Sequence, residues 1–285
     1  MNEIEKSYAV VVDKLSFAYL PGKTFIKNLS ISLKEGKYIC VVGHNGSGKT
    51  TFSRLLTGLL RPQSGSIHIF NKSISSLSYQ QLFSSLGVVF QNPDSQFITS
   101  SAEEELAFGL ENKKVPKKYM VQIISELLEA LNLKDLKDKS PTTLSGGQKQ
   151  KVAIASILAF NPSIFVFDES SSLLSPIEKK EIVSLMKRLV EEYKKTVISI
   201  THDMEELLLA DEIIVFSGGK LVRHIKCREE LFSLPYSFFR DLSLIPPFVV
   251  YLGYILREKY GFNLLPYSSE DDLVKGIGRL MGERN

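Results

Sequence analysis

Cysteine is scarce in this sequence, and its scarcity excludes several kinds of protein. The chain of 285 residues has two cysteines, Cys40 and Cys227, and no tryptophan. One cysteine lies in an apolar run and the other in a charged stretch, so the pair has neither the spacing of zinc ligands nor that of a redox motif. We therefore expect two reduced thiols, as in a cytosolic protein, and no disulfide framework.

Long apolar runs are also missing, and the first residues lack the pattern of a signal peptide. A membrane-spanning helix needs about 18 or more apolar residues. Residues 152–167 are divided by Asn161-Pro162, and residues 242–256 contain Pro246-Pro247, so that the second stretch is better explained as a half-buried helix. We expect no span, and we expect any contact with the cell membrane to be peripheral, on the cytoplasmic side and through a partner.

Neither sign of charge is in large excess. Lysine and arginine number 35 against 32 aspartates and glutamates, which leaves a formal net charge of +3. This excess is too small to indicate a nucleic-acid partner. Four lysines that flank Val115-Pro116 could raise the potential locally, but we interpret them as part of a solvated loop: Lys113, Lys114, Lys117 and Lys118.

The hydrophobic pattern predicts an α/β protein. Apolar residues alternate at Leu15, Phe17 and Tyr19 and again over residues 29–33, which is typical of an antiparallel start. Later apolar runs are continuous, as expected of strands buried on both faces of a mainly parallel sheet: 38–42, 87–90, 164–167, 197–200 and 213–216. We predict one α/β domain over residues 1–226 with a helical subdomain at about 92–162, followed by a small C-terminal extension over residues 227–285.

A glycine-rich loop joins the first of these buried strands to a helix and has the pattern of a phosphate-binding loop. Its backbone N–H groups and the positive end of the helix dipole suit the phosphates of a nucleoside triphosphate. Lys49 adds a mobile positive charge, and the Thr50 hydroxyl is suited to ligate Mg²⁺. The predicted nucleotide-binding residues here are Gly43, His44, Asn45, Gly46, Ser47, Gly48, Lys49, Thr50 and Thr51.

Two adjacent carboxylates, Asp168 and Glu169, end a fully apolar predicted strand. Carboxylates in such a place are costly to bury unless metal or water chemistry uses them, although a solvated strand end is the simpler alternative for an isolated pair. Next to a phosphate-binding loop, Asp168 suits the Mg²⁺ shell. Glu169 then suits the general base that orients or deprotonates the attacking water.

A second helix opens at Leu144, where the sequence reads Leu-Ser-Gly-Gly-Gln. The bare N–H groups of its first turn offer a second anion-binding surface, which predicts nucleotide contacts at Ser145, Gly146, Gly147 and Gln148. The segment taken alone is better explained as a capped helix start with Ser145 as the N-cap, and the other elements of the sequence favour the nucleotide contact.

The order of the phosphate-binding loop, Gln91, the Leu144–Gln148 segment, Asp168-Glu169 and Thr201-His202-Asp203 resembles that of the ATP-binding cassette (ABC) ATPases, over about residues 8–226. The resemblance implies a P-loop NTPase cassette that binds ATP and Mg²⁺, hydrolyses ATP and dimerises head to tail, with each Ser-Gly-Gly segment closing on the ATP of the other cassette.

The same resemblance gives roles to three further residues. It implies that Tyr19 stacks on adenine and that His202 is the sensor of the γ-phosphate. It also implies that Gln91 touches Mg²⁺ and water and reports to the transport partner. As isolated residues, all three are ordinary strand or strand-end positions.

A narrower resemblance, to the ATPase subunits of energy-coupling factor transporters, lies in three segments: Gln91–Phe97, Ala107–Asn112 and Ile245–Phe248. It implies import of a vitamin or a transition-metal ion, with a second ATPase subunit, an integral membrane coupling protein and a substrate-capture subunit as partners, and it suggests that the C-terminal extension serves pairing. The alternatives are the ATPase of a generic ABC importer or a soluble ABC ATPase outside transport. A GTPase is disfavoured because Asn71-Lys72-Ser73-Ile74 lacks the guanine-reading aspartate.

One position departs from the family pattern. Ser175 stands where these ATPases usually have an aspartate that contacts the other cassette, and serine cannot supply a charge there. We therefore predict unequal ATP sites in a heterodimer, while a homodimer is left open.

Overall fold

The computed structural model describes residues 7–261 and 270–282. Its strands are β1 (Tyr8–Phe17), β2 (Ile26–Lys34), β3 (Tyr38–Val42), β4 (Ser64–Ile69), β5 (Lys72–Ser73), β6 (Leu86–Val89), β7 (Ile164–Asp168), β8 (Thr196–Ile200), β9 (Glu212–Ser217) and β10 (Lys220–Ile225). Its helices are α1 (Lys49–Leu56), α2 (Tyr79–Ser85), α3 (Ala102–Asn112), α4 (Lys117–Ala130), α5 (Gly146–Phe160), α6 (Pro176–Glu191), α7 (Arg228–Ser233), α8 (Tyr236–Asp241), α9 (Phe248–Tyr260) and α10 (Glu270–Gly282). Within these ranges, none of the helices combines the length and the apolar character needed to cross a bilayer.

The central sheet has the strand order β10-β9-β3-β8-β7-β6, and its five strands from β9 to β6 run parallel. All five residues of β3 are buried. Tyr38 and Cys40 belong to one hydrophobic cluster and Ile39 and Val41 to the other, so both faces of the strand are covered. This double burial is why the strand is continuously apolar, as predicted. The parallel arrangement brings the carboxyl ends of β3, β8 and β7 to one edge.

The antiparallel start predicted from the alternating pattern is confirmed. Strands β2, β1, β4 and β5 form a second sheet in that order. Val12 of β1 pairs with Ile31 of β2 on one side and with Ile67 of β4 on the other. These residues share a hydrophobic cluster with Phe52 of α1 and with the second face of β3, so α1 packs between the two sheets.

Helices α3, α4 and α5 form the predicted helical segment and contribute Leu106, Ile124 and Ile154 to the cluster on the other face of the central sheet. Lys117 and Lys118 are the first residues of α4, so the predicted solvated loop is shorter than expected.

The described residues after 226 are mainly helical and pack against the cassette. Phe239, Val249 and Leu273 belong to the same cluster as Leu207 and Leu208. The helix expected over residues 242–256 begins only at Phe248. The prediction placed its start too early because two consecutive prolines favour extended backbone before them and a helix start after them. Residues 262–269 and 283–285 of the predicted extension lie outside the described residues.

Candidate functional site

The phosphate-binding loop lies between β3 and α1, as its sequence pattern predicts. Gly48 is the N-cap of α1 with a φ of 113°, a conformation that L side chains rarely adopt. A Cβ on Gly43 would collide with the Phe216 carbonyl oxygen and approach the Ser47 hydroxyl at 2.5 Å. These glycines therefore allow a turn too tight for other residues, and the turn leaves the N–H groups at the start of α1 without helical partners.

Lys49 is folded back over this loop. Its Nζ donates to the carbonyl oxygen of Gly43 at 2.8 Å and to that of His44 at 3.3 Å, and the residue is only 4% exposed. Burial lowers the pKa of the ammonium, while the carboxylates of Glu169 and Asp168 act in the opposite direction. The loop and the acidic pair therefore belong to one electrostatic environment, with a positive charge between them.

The acidic pair lies at the carboxyl end of β7. Asp168 pairs with Ile200 of the neighbouring parallel strand β8 and is 4% exposed. Burial raises its pKa, and the adjacent Glu169 adds to that rise. A buried carboxylate in such a place favours a proton or a cation as its partner.

Glu169 turns sharply out of the strand, with a φ of 51° that is uncommon for a residue with a side chain. Its N–H donates to the Ile200 carbonyl at 2.9 Å. This turn brings its Oε1 to 2.7 Å from Nε2 of His202, which follows β8. Two predicted catalytic residues that are 33 positions apart in the chain therefore contact each other directly.

Tyr19 lies beside the start of α1. Its hydroxyl is hydrogen-bonded to Oγ1 of Thr51 at 2.7 Å, and its ring meets that of Phe17 edge-on at 4.9 Å. The residue remains 55% exposed. The ring is therefore held in place at one edge and has surface left for a flat partner.

Gln91 is exposed and lies two residues beyond the end of β6. The segment around it is fastened to α5 by two contacts. Nε2 of Gln150 donates to the Phe90 carbonyl at 3.1 Å, and Nζ of Lys149 lies 2.6 Å from Oδ1 of Asp94. Gln150 and Lys149 were not predicted, because no local pattern shows that α5 contacts this loop.

The Leu144–Gln148 segment forms a capped helix start within its own chain. The Ser145 hydroxyl accepts from the Gln148 N–H at 3.3 Å, and Oε1 of Gln148 accepts from the Ser145 N–H at 3.0 Å. Beside it, α6 begins with the same reciprocal arrangement between Ser175 and Glu178. A Cβ on Gly147 would lie 3.2 Å from Oε2 of Glu178, so the two helix starts adjoin.

A second glycine pair, which was not predicted from the sequence, contacts the phosphate-binding loop. Gly218 and Gly219 form the turn between β9 and β10, and the Gly219 N–H donates to the Ser47 carbonyl at 2.8 Å. The Gly-Gly dipeptide between two apolar runs is a hairpin signal that would have predicted this turn, but its contact with the loop depends on the fold.

The site residues are thus distributed over two regions. The phosphate-binding loop, Tyr19, Asp168, Glu169 and His202 gather at the carboxyl edge of the central sheet. Gln91 follows β6 of the same parallel sheet and lies at that carboxyl edge as well. The Ser145–Gln148 segment lies apart from it at the start of α5, where it adjoins the start of α6.

Comparison with known proteins agrees with this geometry. The sequence model of the family described as "ABC transporter" matches residues 26–172. The chain is 46% identical to the energy-coupling factor transporter ATP-binding protein EcfA1 of Ureaplasma parvum serovar 3 over 273 residues, which cover 96% of this chain and 92% of that protein. It is 45% identical over 261 residues to EcfA of Malacoplasma penetrans, with 90% of each chain covered.

Solved structures share the fold. The cbiO1 protein of Clostridium perfringens, part of the ABC transporter complex cbiONQ, superposes with a TM-score of 0.71 at 30% identity and covers 87% of this chain and 99% of its own. The ATP-binding cassette MJ0796, as a dimer bound to ADP and Pi after hydrolysis, superposes with a TM-score of 0.68 at 29% identity and covers 77% and 99% of the two chains.

Proposed function

Because this chain belongs to the ABC transporter family and is an ATP-binding, ATP-hydrolysing subunit of an energy-coupling factor transporter, we propose that its two groups of site residues contact two different ATP molecules in a pair of subunits. The phosphate-binding loop, Lys49 and Tyr19 hold the nucleotide on one cassette. Ser145, Gly146, Gly147 and Gln148 contact the nucleotide held by a second ATPase subunit.

Glu169 is the general base of hydrolysis in this proposal, and its contact with His202 is the observation that carries it. The 2.7 Å contact holds the Glu169 carboxylate in one position. The same carboxylate is near enough to Lys49 to raise the pKa of its ammonium. A base must be positioned within hydrogen-bonding reach of the attacking water, and its orientation is usually fixed by a neighbouring group. His202 supplies that orientation and lies, 46% exposed at its side chain, where it can sense a γ-phosphate.

Mg²⁺ fits the oxygen donors of this site. Asp168 is a buried carboxylate whose environment favours a cationic partner, and Thr50, which follows Lys49 in α1, is exposed. Mg²⁺ prefers oxygen ligands and binds through one or two protein groups together with substrate phosphates. Thr50, Asp168 and Gln91 would hold the ion, and when bound it would neutralise charge that develops on the phosphates.

The helical subdomain offers a docking surface for the membrane partner. A groove of about 270 Å³ lies between the β6 edge of the sheet and helices α3 and α5. Its walls include exposed apolar side chains of Leu59, Ile98 and Phe108, the last two 68% and 43% exposed. Exposed apolar surface of this kind is typical of protein interfaces. Phe90 lines the groove directly before Gln91, so a partner seated there is adjacent to the proposed Mg²⁺ ligand.

This partner places the chain peripherally at the cytoplasmic side of the cell membrane. We propose that it is the integral membrane coupling protein of the transporter, which also carries a substrate-capture subunit, and that the transported substrate is a vitamin or a transition-metal ion. The C-terminal extension, which packs on residues 207 and 208 next to the His202 segment, contributes to the pairing of the two ATPase subunits.

Glu169→Gln tests the catalytic assignment. The variant keeps the shape of the side chain and is expected to bind ATP with ordinary affinity while its turnover falls by about a hundredfold or more, since a positioned base contributes about 10²–10⁴-fold. The assay is steady-state phosphate release by the complex purified from membranes, beside nucleotide binding to the same preparation. Ordinary turnover by the variant would remove Glu169 from the mechanism.

Purification also tests the partner assignment. Integral membrane proteins are expected to co-purify with the unmodified chain from detergent-solubilised membranes. Phe108→Glu, which places a charge in the apolar groove, is expected to lose them while keeping nucleotide binding. Val274→Glu is the matched control, because Val274 is 66% exposed on α10 and does not line the groove. Retention of the membrane proteins by Phe108→Glu would place the docking surface elsewhere.

A further inference from the structure

A buried carboxylate lies directly beneath the loop that carries His202. Glu206 belongs to a short helical turn, Met204–Leu208, and is 2% exposed. Its Oε2 accepts from the Ser199 hydroxyl at 2.7 Å and from the Tyr38 hydroxyl at 3.3 Å, and its Oε1 accepts from the Thr201 hydroxyl at 3.0 Å. Among the described residues, it has no cationic partner.

A contribution to the stability of the fold does not explain why a carboxylate is buried here. Burial raises the pKa of Glu206, and the hydroxyls of Ser199 and Thr201 act in the opposite direction. A buried charge without a counter-ion is costly, and apolar residues of similar volume often stabilise a core at least as well. What a carboxylate provides, and an apolar side chain does not, is a set of directional hydrogen bonds.

Those bonds fix the His202 loop to the central sheet. Tyr38 and Ser199 hold Glu206 from β3 and β8, so the carboxylate has a defined position relative to both strands. Thr201, which precedes His202, donates to the carboxylate. The Thr201 hydroxyl oxygen also accepts from the N–H of Asp203, which follows His202, at 2.9 Å. The residues on both sides of His202 are therefore fixed through one hydroxyl.

The far side of the same loop is fixed to α6. Oδ2 of Asp203 lies 2.9 Å from Nζ of Lys179. This ion pair is partly exposed, so it contributes little free energy. The buried Glu206–Thr201 bond is the stronger constraint on the loop.

We propose that Glu206 is a positioning residue for ATP hydrolysis, which acts through Thr201 to hold Nε2 of His202 against the Glu169 carboxylate. The inference rests on the proposed roles of Glu169 and His202. It adds that the orientation of His202 is set from within the cassette by a residue that touches neither nucleotide nor metal.

Thr201→Val tests the proposal, because it removes the hydroxyl and keeps the branched shape. We expect kcat for ATP hydrolysis by the purified full complex to fall about tenfold, since small displacements of catalytic groups cost one to two orders of magnitude in rate. The KM for ATP and the affinity for ATP are expected to change less than about twofold, because the phosphate-binding loop is untouched. Thr201→Ser restores the hydroxyl and is expected to recover most of kcat.

Tyr38→Phe is the matched control. It removes the longer of the two hydrogen bonds that hold this carboxylate to the sheet, 3.3 Å against 2.7 Å for Ser199, and leaves the Thr201 bond in place. It is therefore expected to lower thermal stability and leave kcat within about twofold. In a Glu206→Met background, which removes both acceptor oxygens, Thr201→Val is expected to have no further effect on kcat, because the two residues act as one unit.

Two outcomes overturn the proposal: an unchanged kcat in Thr201→Val, or an equal loss of kcat in Thr201→Val and Tyr38→Phe. Glu169→Gln, measured in the same assay, separates this failure from that of the proposed function. If Glu169→Gln is inactive and Thr201→Val is normal, only the role of Glu206 is lost. If Glu169→Gln turns over normally, the proposed site itself is wrong.

Discussion

A methyl group added at Gly219 is expected to disturb the phosphate-binding loop, although Gly219 lies 170 residues beyond Lys49. The residue has a φ of +72°, and a Cβ there would lie 2.8 Å from the Phe25 carbonyl carbon and still closer to its oxygen. Ordinary contact begins at about 3.4 Å, so backbone must move by at least about 0.6 Å (3.4 − 2.8). The same residue donates its N–H to the Ser47 carbonyl, so this movement reaches the loop.

Gly218→Ala is the control for the loss of unfolding free energy expected in Gly219→Ala. Gly218 also has a positive φ, +54°, but a Cβ there would meet nothing within 4 Å. Gly218→Ala is therefore expected to cost only the left-handed conformation, about 1 kcal/mol of unfolding free energy. Gly219→Ala adds the cost of overpacking, about 1–3 kcal/mol, for a total of about 2–4 kcal/mol.

Urea unfolding of the full chain measures these free energies, and a nucleotide titration measures the affinity for ATP. Gly219→Ala is expected to weaken ATP binding and Gly218→Ala to leave it unchanged. Equal losses of stability in the two variants, or unaltered ATP affinity in Gly219→Ala, would refute the argument that this turn supports the loop.

Three further predictions concern the nucleotide site and the pairing of cassettes. Tyr19→Ala is expected to raise the Kd for ATP about tenfold, because it removes the stacking surface. Tyr19→Phe loses only the hydrogen bond to Thr51 and is expected to change the Kd less than about twofold. Equal effects of the two substitutions would argue against stacking. Burial lowers the pKa of Lys49 below its ordinary value of 10.5. At neutral pH the buried ammonium therefore reduces the free energy of unfolding, and this reduction disappears as the pH rises through the lowered pKa towards 10.5. Lys49→Met without nucleotide is therefore expected to unfold at higher urea than the unmodified chain at about pH 8, with a gap that narrows in alkali; a constant gap would contradict this. Ser175→Asp is expected to change the free energy of unfolding by less than about 0.5 kcal/mol, since both residues are good N-caps. It is also expected to reduce the inequality of the two ATP sites in a heterodimer. Equal single-turnover rates at the two sites of the unmodified complex would count against that inequality.

The parts of the site that could be predicted from the sequence are those in which the signal is local. The glycines around Lys49 encode a turn that few other residues adopt, and the apolar run before Asp168 encodes a strand buried on both faces. In each case the residues that need one another are adjacent in the chain. The approximate positions of β3 and β7, and of the residues that follow them, could therefore be predicted.

Contacts that depend on strand order could not be predicted in this way. Glu169 meets His202 because β7 and β8 are neighbours, and Glu206 receives the Tyr38 hydroxyl because β3 is on the other side of β8. Nothing in the local pattern around Glu206 distinguishes it from the exposed acidic residues of other helical turns. The same reasoning applies to Gln150, whose bond to Phe90 joins two segments 60 positions apart.

The two explanations of the Leu144–Gln148 segment, a capped helix start and an anion-binding surface, are compatible in the structure. The reciprocal bonds between Ser145 and Gln148 satisfy the N–H groups at the N-cap and at the third helical position. The N–H groups of Gly146 and Gly147 take no part in those bonds and still belong to the positive end of α5. Glycine at both positions keeps the approach to them free of side chains. The cap therefore fixes the geometry of the first turn, and a fixed first turn is what a surface for the phosphates of a second cassette requires.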